Sequence, residues 1–523
     1  MEENRKSEGL NLLKIGKKGL VHMIFSRFGI IILLLAIQVL FLFGLFFKFR
    51  QLAPHYIGLA TLFYLLMIVV VVNSDDDPTA KITWLVVMVL MPIFGGLLYL
   101  FMRFEIGHKT LKRLLSKTID DTAFALKQNE KTLISVEEKA PELADLHHYI
   151  NKTGCFPVYQ NDDVTYFPLG EKMFEDMLIE LEKAEKFIFM EYFILDEGLM
   201  WGKILEILAR KAKEGVEVRV MYDGTCEFNL LPTSYPKKLA ELGISCKVFA
   251  PFKPFVSTHY NYRDHRKIMV IDGKVAYNGG VNIADEYINH IEKHGHWKDT
   301  AIRIKGAGVN SLTLMFLQMW HINEDIKDLD QYFVENKEGD DNSFIMPYGD
   351  CPLDSYDVGE SVYMDILNKA HDYVYIMSPY LILDGELLKA LNFAAQRGID
   401  VRIILPRITD SFVAKAMAKT YYKSLISAGI KIYEYLPGFD HGKMFVSDDC
   451  KAVVGTINLD YRSLYHHFEC AIYLSNVSCI KDIKEDFLET FAKCQLMDLD
   501  DVKKEKWYLK LVGNLLKFIA PLL

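Results

Sequence analysis

The stretch HRKIMVIDGKVAYNGGVN (residues 265–282) returns as HGKMFVSDDCKAVVGTIN (residues 441–458). In each copy a histidine (His265, His441) is followed two places on by a lysine (Lys267, Lys443) and seven on by an aspartate (Asp272, Asp448). A glycine follows at fourteen (Gly279, Gly455) and an asparagine at seventeen (Asn282, Asn458). Two copies with one spacing indicate a duplicated unit. The residues between histidine and aspartate are apolar and β-branched enough to read as a strand. Positions two apart on a strand share a face, so each histidine stands beside its lysine. Asp272-Gly273 is a strong hairpin turn and Asp448-Asp449 a weaker one, each leading into a second short strand that ends in small residues. At those endings Gly280 and Thr456 are expected to let backbone N–H groups approach an anion. One unit offers an imidazole, an ammonium and an amide, and two units facing each other would enclose one phosphate.

The repeat extends beyond this motif. KFIFMEYFILDEG (residues 186–198) resembles YVYIMSPYLILDG (residues 373–385), and both lead through a helical pattern into a second apolar strand. The offset between copies is 187 at Met190/Met377, 183 at Gly215/Gly398 and 176 at His265/His441, a drift that small loop changes would give. Strand, helix and strand in that order imply right-handed βαβ units. The expected fold class is therefore α/β: two fused halves with mixed, largely parallel sheets and one active site at their pseudo-twofold interface.

Two histidines, two lysines and two asparagines around a phosphodiester suit nucleophilic catalysis without a metal. One neutral imidazole attacks phosphorus while the other, protonated, gives its proton to the departing alkoxide. Free histidine titrates near 6.5, so its surroundings can hold one ring neutral and another charged. Lysines and asparagines would hold the phosphoryl oxygens as charge develops. After the first alcohol leaves, the second histidine can deprotonate another alcohol or water, and the acceptor decides between transferase and hydrolase. Asp272 and Asp448 belong to the motif and count among the catalytic candidates, but at turns aspartate commonly bonds local backbone, so a structural role is expected more than proton transfer.

An imidazole used in this way needs its second nitrogen fixed by an acceptor. Asp299 and Glu469 each follow their motif and open a further strand. They are candidates for that role, including across to the other half; the plainer alternative is a surface carboxylate at a strand start. His259, Tyr260, Arg462 and Ser463 flank the motifs and either touch a head group or cap loops. His466 and His467 read as surface residues rather than metal ligands, being adjacent and so on opposite strand faces.

The chain has 523 residues and a net charge of −9, which argues against a general nucleic-acid binder. Eight cysteines show no metal-like spacing, so neither disulfides nor zinc are expected. A basic segment (residues 1–27) precedes three apolar runs at 28–47, 56–72 and 82–102, read together as a transmembrane anchor of two or three helices over residues 28–103. Placing the acidic loop Asp75-Asp76-Asp77 outside puts everything beyond residue 103 in the cytoplasm. A helical connector (104–150), the first half (151–335), the second half (336–500) and a basic amphipathic helix (501–523) complete the division. That last helix fits either a membrane interface or the protein's own surface.

The paired H-x-K-x-x-x-x-D motifs resemble the phospholipase D superfamily. NYRDHRKIMVIDGKVAYNGGVNIADEYI, SYPKKLAELGI, MEYFILD and GTINLDYRS with the FE that follows are similar to bacterial cardiolipin synthases. The resemblance runs from about residue 80 to the carboxyl end, including PIFGGLLYLF and the terminal APLL. It implies two phospholipase D-like halves and a multi-pass enzyme of the cell membrane. Such an enzyme joins two phosphatidylglycerol molecules into cardiolipin and releases glycerol, with no metal or nucleotide cofactor. It also implies that His265 carries the phosphatidyl group and that His441 is the acid and base. Membrane lipids are then the partners, and nucleic acid is not. The departures are Gly455-Thr456 where the first copy has two glycines, and a third apolar run. A phospholipase D that releases phosphatidic acid is the alternative enzyme. A nuclease is disfavoured by the acidity and the anchor, and a dead scaffold by the presence of all four motif histidines and lysines.

Overall fold

A computed structural model describes residues 53–522, apart from 75–77, 104–105, 161, 252–261 and isolated positions between 323 and 341, together with residues 36, 39 and 40. The basic segment, almost all of the first apolar run, the acidic loop, His259 and Tyr260 lie outside the described residues. The chain divides into two compact units, one built from residues 16–110, 252–259 and 515–523, the other holding 111–251 and 260–514.

The smaller unit contains helices α1 (Ala53–Val72), α2 (Pro78–Leu90) and α3 (Pro92–Arg103). The third apolar run is therefore not one span. A proline has no N–H to give and disfavours helical backbone in the residue before it, so one helix stops at Leu90 and the next starts at Pro92. The chain folds back there, bringing the Trp84 and Tyr99 rings edge to face at 5.2 Å. Met67, Val71 and Met88 complete this small core. Among the described residues no helix is long and apolar enough to cross a membrane.

The larger unit carries two sheets of matching design. In the first half, β1 (Asp163–Phe167), β2 (Phe187–Tyr192), β3 (Glu217–Asp223), β4 (Ser245–Phe249), β5 (Lys267–Ile271), β6 (Val275–Gly279) and β7 (Ala301–Lys305) lie in the order β1-β7-β6-β5-β2-β3-β4. In the second half the equivalents are β8 (Phe344–Asp350), β9 (Tyr373–Met377), β10 (Asp400–Pro406), β11 (Lys431–Tyr435), β12 (Met444–Ser447), β13 (Lys451–Gly455) and β14 (His467–Ser475). They repeat that order as β8-β14-β13-β12-β9-β10-β11, with β15 (Cys494–Met497) added at the edge.

The expectation of largely parallel sheets is corrected. In the first half only β2-β3 and β3-β4 are parallel, and in the second only β9-β10 and β10-β11. These are the pairs reached by crossovers, of which α4 (Leu199–Lys213) and α6 (Gly385–Gln396) are the βαβ helices. Each motif is a hairpin, and hairpin strands can only pair antiparallel, so β5-β6 and β12-β13 turn the rest of each sheet antiparallel. Between the two βαβ units runs α5 (Val309–Trp320), buried on every face and touching β2 and β5 of one sheet and β8 of the other. Its apolar side chains meet the two sheets, and its buried polar ones are bonded, Asn310 Nδ2 to the Val334 carbonyl and Gln318 Nε2 to the Thr122 hydroxyl at 2.8 Å each.

The motif aspartates anchor these hairpins. Asp272 (φ 54°) and Gly273 (φ 66°) occupy the left-handed region that a tight two-residue hairpin turn demands, as do Asp448 (φ 53°) and Asp449 (φ 58°). The Asp272 carboxylate accepts N–H bonds from Glu185, Lys186 and Phe187 at 2.9, 2.7 and 2.9 Å, pinning the start of β2. Asp448 does the same for His371, Asp372 and Tyr373 at 2.9, 2.9 and 3.0 Å, pinning β9. Seven residues of extended chain, on the order of 20 Å, separate each aspartate from its histidine. Neither belongs with the catalytic candidates. Asp272→Ala leaves three N–H groups without an acceptor and is expected to cost about 2 kcal/mol. Chemical denaturation of the purified protein reads that loss, while turnover per folded molecule stays near wild type.

Candidate active site

The two motif strands start at the seam between the halves, where two short cross-half pairings fix them. Arg263–Asp264 runs parallel to His467–Phe468 of β14, and His296–Lys298 runs parallel to Gly438–Asp440. The His265 N–H consequently reaches the Phe468 carbonyl at 3.0 Å, and the His441 N–H reaches the Lys298 carbonyl at 2.7 Å. The residue after each of those carbonyls is a carboxylate. His265 Nδ1 lies 2.8 and 3.0 Å from the two oxygens of Glu469, and His441 Nδ1 lies 2.6 Å from Asp299 Oδ2. Each imidazole is thus held by the opposite half. The carboxylate takes the hydrogen on Nδ1, which leaves the Nε2 lone pair available for chemistry.

Lys267 and Lys443 turn to the same face as their histidines and are almost wholly buried. Lys267 Nζ donates to the His265 carbonyl at 2.5 Å and stands 5.4 Å from the centre of the Phe193 ring. Lys443 Nζ bonds the His441 carbonyl and lies 2.9 Å from His441 Nδ1. Burial pulls the Lys267 ammonium down to about 7 and that of Lys443 to about 8. Burial, with Lys267 and Lys443 adding to it, holds His265 well below the ordinary histidine range despite Glu469 beside it. His441 is lowered too, by burial and Lys443, with Asp299 acting against them. The charge of the His441 ring adds to the lowering at His265.

Other expected residues serve this arrangement differently. The N–H groups of Gly280 and Thr456 are not open to an anion, because they bond the carbonyls of Thr300 and Cys470 at 2.9 Å each, closing the β6-β7 and β13-β14 pairings. The Thr456 hydroxyl instead donates to Glu469 Oε2. A Cβ at Gly280 would stand 2.0 Å from Asp299 Oδ1, so the absence of a side chain there makes room for that carboxylate. Asn282 is buried and spent: its oxygen accepts from the Ile194 N–H at 3.0 Å and its amide donates to the Tyr287 hydroxyl at 2.8 Å. Asn458 is buried, and its Oδ1 has no hydrogen-bond partner among the described residues. Ser463 sits in a short helix capped by Asp460, which accepts the Ser463 N–H at 3.0 Å.

His467 is not a surface residue. It is 8% exposed, and its ring centre is 5.3 Å from that of His265. Adjacent strand residues do face opposite ways, but β14 is covered on both sides, so His467 shares the inner face with Glu469 two places on. Burial drives its imidazole down to about 3. Sequence reading also missed the aromatic walls: Phe193 lies 4.9 Å from His265, and Tyr287, Trp297 and Phe439 lie 5.5, 5.4 and 5.5 Å from His441. All eight cysteines are free thiols, and Cys470 Sγ accepts from Asn278 Nδ2 at 3.0 Å.

Residues 177–318 and 363–491 match the model of a cardiolipin synthase, phospholipase D-like domain, and residues 62–103 match a phospholipase D-nuclease N-terminal model. The chain is 53% identical over 443 residues to an uncharacterized protein of Streptococcus mutans, covering 84% of this chain and 96% of that one. It is 33% identical over 456 residues to the cardiolipin synthase of Alkalihalophilus pseudofirmus, covering 85% and 89%. The cardiolipin synthase of Clostridium perfringens matches at 33% identity, covering 85% and 94%. Among solved structures, a phosphatidylserine synthase of Haemophilus influenzae superposes with a TM-score of 0.57 at 13% identity, covering 72% of this chain and 97% of that one, a likeness of fold.

The buried lysines give a pH test. Lys267 releases its proton near 7 when folded but near 10.5 when unfolded, so between those values the unfolded chain holds more protons and stability rises with pH. That stability is lost as pH falls through 7. Lys267→Met removes the effect. Its Tm is expected to exceed wild type most at pH 7, with the gap narrowing toward pH 10 in a melting series; a constant gap refutes the assignment.

Proposed function

The chain belongs to the cardiolipin synthase family of phospholipase D-like enzymes, and on that premise we propose that it condenses two phosphatidylglycerol molecules to cardiolipin and glycerol through a phosphatidyl-histidine intermediate. The observation that carries this reading is the crossed pair of imidazole–carboxylate hydrogen bonds, which prepares two Nε2 atoms in one buried site.

His265 is the nucleophile. Burial and two lysines favour its neutral form more strongly than that of His441, whose charged form Asp299 supports. Nε2 of His265 attacks phosphorus, the bond to the glycerol oxygen breaks, and His441 gives that oxygen its proton. His441, now neutral, takes the proton from a terminal hydroxyl of a second phosphatidylglycerol. The resulting alkoxide displaces His265 from phosphorus, and both histidines return to their starting states. Lys267 and Lys443 hold the non-bridging oxygens, and an anion between them favours their protonated forms. The unpartnered Asn458 Oδ1 is an acceptor, suited to a head-group hydroxyl rather than to a phosphoryl oxygen.

The reaction takes place at the membrane, with the larger unit on the cytoplasmic side. Helix α7 (Trp507–Ile519) supports contact with lipid: Trp507, Tyr508 and Leu511 are exposed beside Lys503, Lys504 and Lys506.

Purified protein in phosphatidylglycerol vesicles is expected to yield cardiolipin and glycerol in equal amounts. Phosphatidic acid without cardiolipin would instead establish the hydrolase. His265→Ala should abolish both products, and His441→Ala should slow turnover by about 10²- to 10⁴-fold. Gly280→Ala pushes Asp299 off His441 and is expected to cost roughly 10- to 100-fold in kcat with little change in KM.

A further inference from the structure

We propose that His265, His467 and Glu469 form a binding site for one borderline divalent transition-metal ion, such as Zn²⁺, and that the bound ion reversibly shuts the active site by taking His265. Binding is independent of the reading above, whereas inhibition rests on His265 being the nucleophile.

The residues converge for reasons of fold. His467 and Glu469 are two apart on β14 and share its inner face, and His265 is delivered from the other half by its N–H bond to the intervening Phe468 carbonyl. Ligand-capable atoms of all three lie within 4.8 Å of one another. His467 is more than nine-tenths buried, and its Nδ1 has no hydrogen-bond partner among the described residues. That nitrogen stands 3.7 Å from Glu469 Oε1, while His265 Nδ1 stands 2.8 Å from the same oxygen.

The longer of these spacings suits a metal better than a hydrogen bond. Zinc holds histidine nitrogen and carboxylate oxygen at about 2.0–2.2 Å, so tetrahedral ligands lie roughly 3.3 Å apart. The two distances to Oε1 bracket that edge, and a small turn of the His467 ring closes the longer one. A hydrogen bond at 3.7 Å is too long to satisfy the buried nitrogen. Two imidazoles and a carboxylate are a zinc-type donor set, with a fourth position left for water. The Thr456 hydroxyl already orients the carboxylate from behind. Charge works the other way: Lys267 and Lys443 flank His265, and Arg462 lies in the field of His467, so the site is a weak, reversible one rather than a structural zinc.

Occupancy has a chemical consequence. To bind metal, Nδ1 of His265 must give up the hydrogen it shares with Glu469, and in the neutral ring that hydrogen is then carried on Nε2. The lone pair that attacks phosphorus is gone, and the orienting carboxylate is drawn to the ion. Removing the ion restores both.

The test uses full-length protein in detergent, stripped with a chelator, and Co²⁺ as a spectroscopic substitute for Zn²⁺. Wild type is expected to take up one equivalent with the intense visible absorption of four-coordinate cobalt, which Zn²⁺ bleaches. His467→Asn and His467→Phe should weaken uptake by at least about 100-fold, the upper end of what an outer-shell partner alone is worth. In phosphatidylglycerol vesicles, Zn²⁺ should suppress wild-type turnover and a chelator should restore it, while the His467 variants keep their turnover at the same Zn²⁺ level. Absence of four-coordinate cobalt in wild type overturns the site whatever the variants do, as does unchanged uptake in both variants. Bound cobalt that the His467 variants lose, together with turnover that Zn²⁺ leaves undiminished in wild type, keeps the binding site and overturns the shutting of the active site.

Discussion

The hydrogen bonds from His265 to Glu469 and from His441 to Asp299 cross the boundary between two halves that share one strand order, so neither half alone owns a complete site. The rest of the architecture keeps those two bonds in register. The cross-half strand pairings deliver each histidine's N–H to the carbonyl just before the opposite carboxylate. The motif aspartates hold the far ends of the same hairpins against β2 and β9. Helix α5, buried on every face, ties the two sheets into one core. Displacing either cross-half pairing moves a histidine relative to its carboxylate.

Such a site works against the stability of the fold that holds it. Two lysines, two histidines and two carboxylates are taken out of water, and the depressed Lys267 and Lys443 report the cost of burying ammonium groups. Below pH 7 the protein holds a charge that its interior resists. An anionic phosphodiester reverses the balance, since it brings a negative charge to two buried ammoniums that are bonded to neutral carbonyls. The same burial that destabilises the free protein therefore strengthens every contact to a bound phosphate.

Much of this was legible in the chain. The constant motif spacing disclosed the duplication, and the carboxylates opening the strands after each motif marked Asp299 and Glu469. Those two are offset by 170 residues where the histidines are offset by 176, so a fixed repeat length would have missed them. The break in the third apolar run was written in Pro92 but hidden by hydropathy, which counts apolar residues and ignores the missing N–H. The sheets were misjudged because βαβ units announce parallel strands, while the hairpin in each sheet reverses the chain and leaves the greater number of pairings antiparallel. Gly280, Thr456 and Asn282 pointed to an anion by type, but their polar groups were already committed to backbone and to Tyr287. His467 was out of reach for a different reason: period-two reasoning says which residues share a face, not that both faces of β14 are covered.

The two halves have also diverged where symmetry would have made their histidines alike. Glu469 is one methylene longer than Asp299 and is gripped by the Thr456 hydroxyl, whereas the equivalent Gly280 offers no donor and only space. On the other side, Asn282 satisfies Tyr287, while the matching Asn458 Oδ1 and Ser463 Oγ are buried without partners. An unpartnered buried polar atom costs about 1–3 kcal/mol, a cost a bound polar group can relieve. The first-half histidine is accordingly the rigidly oriented one, and the second-half motif keeps the unsatisfied polar atoms. A nucleophile must meet one phosphorus atom in one geometry. In the proposed reaction the acid and base serves a departing glycerol and then an incoming hydroxyl, and an Asp299 carboxylate that meets space rather than a hydroxyl donor at Gly280 suits that second task.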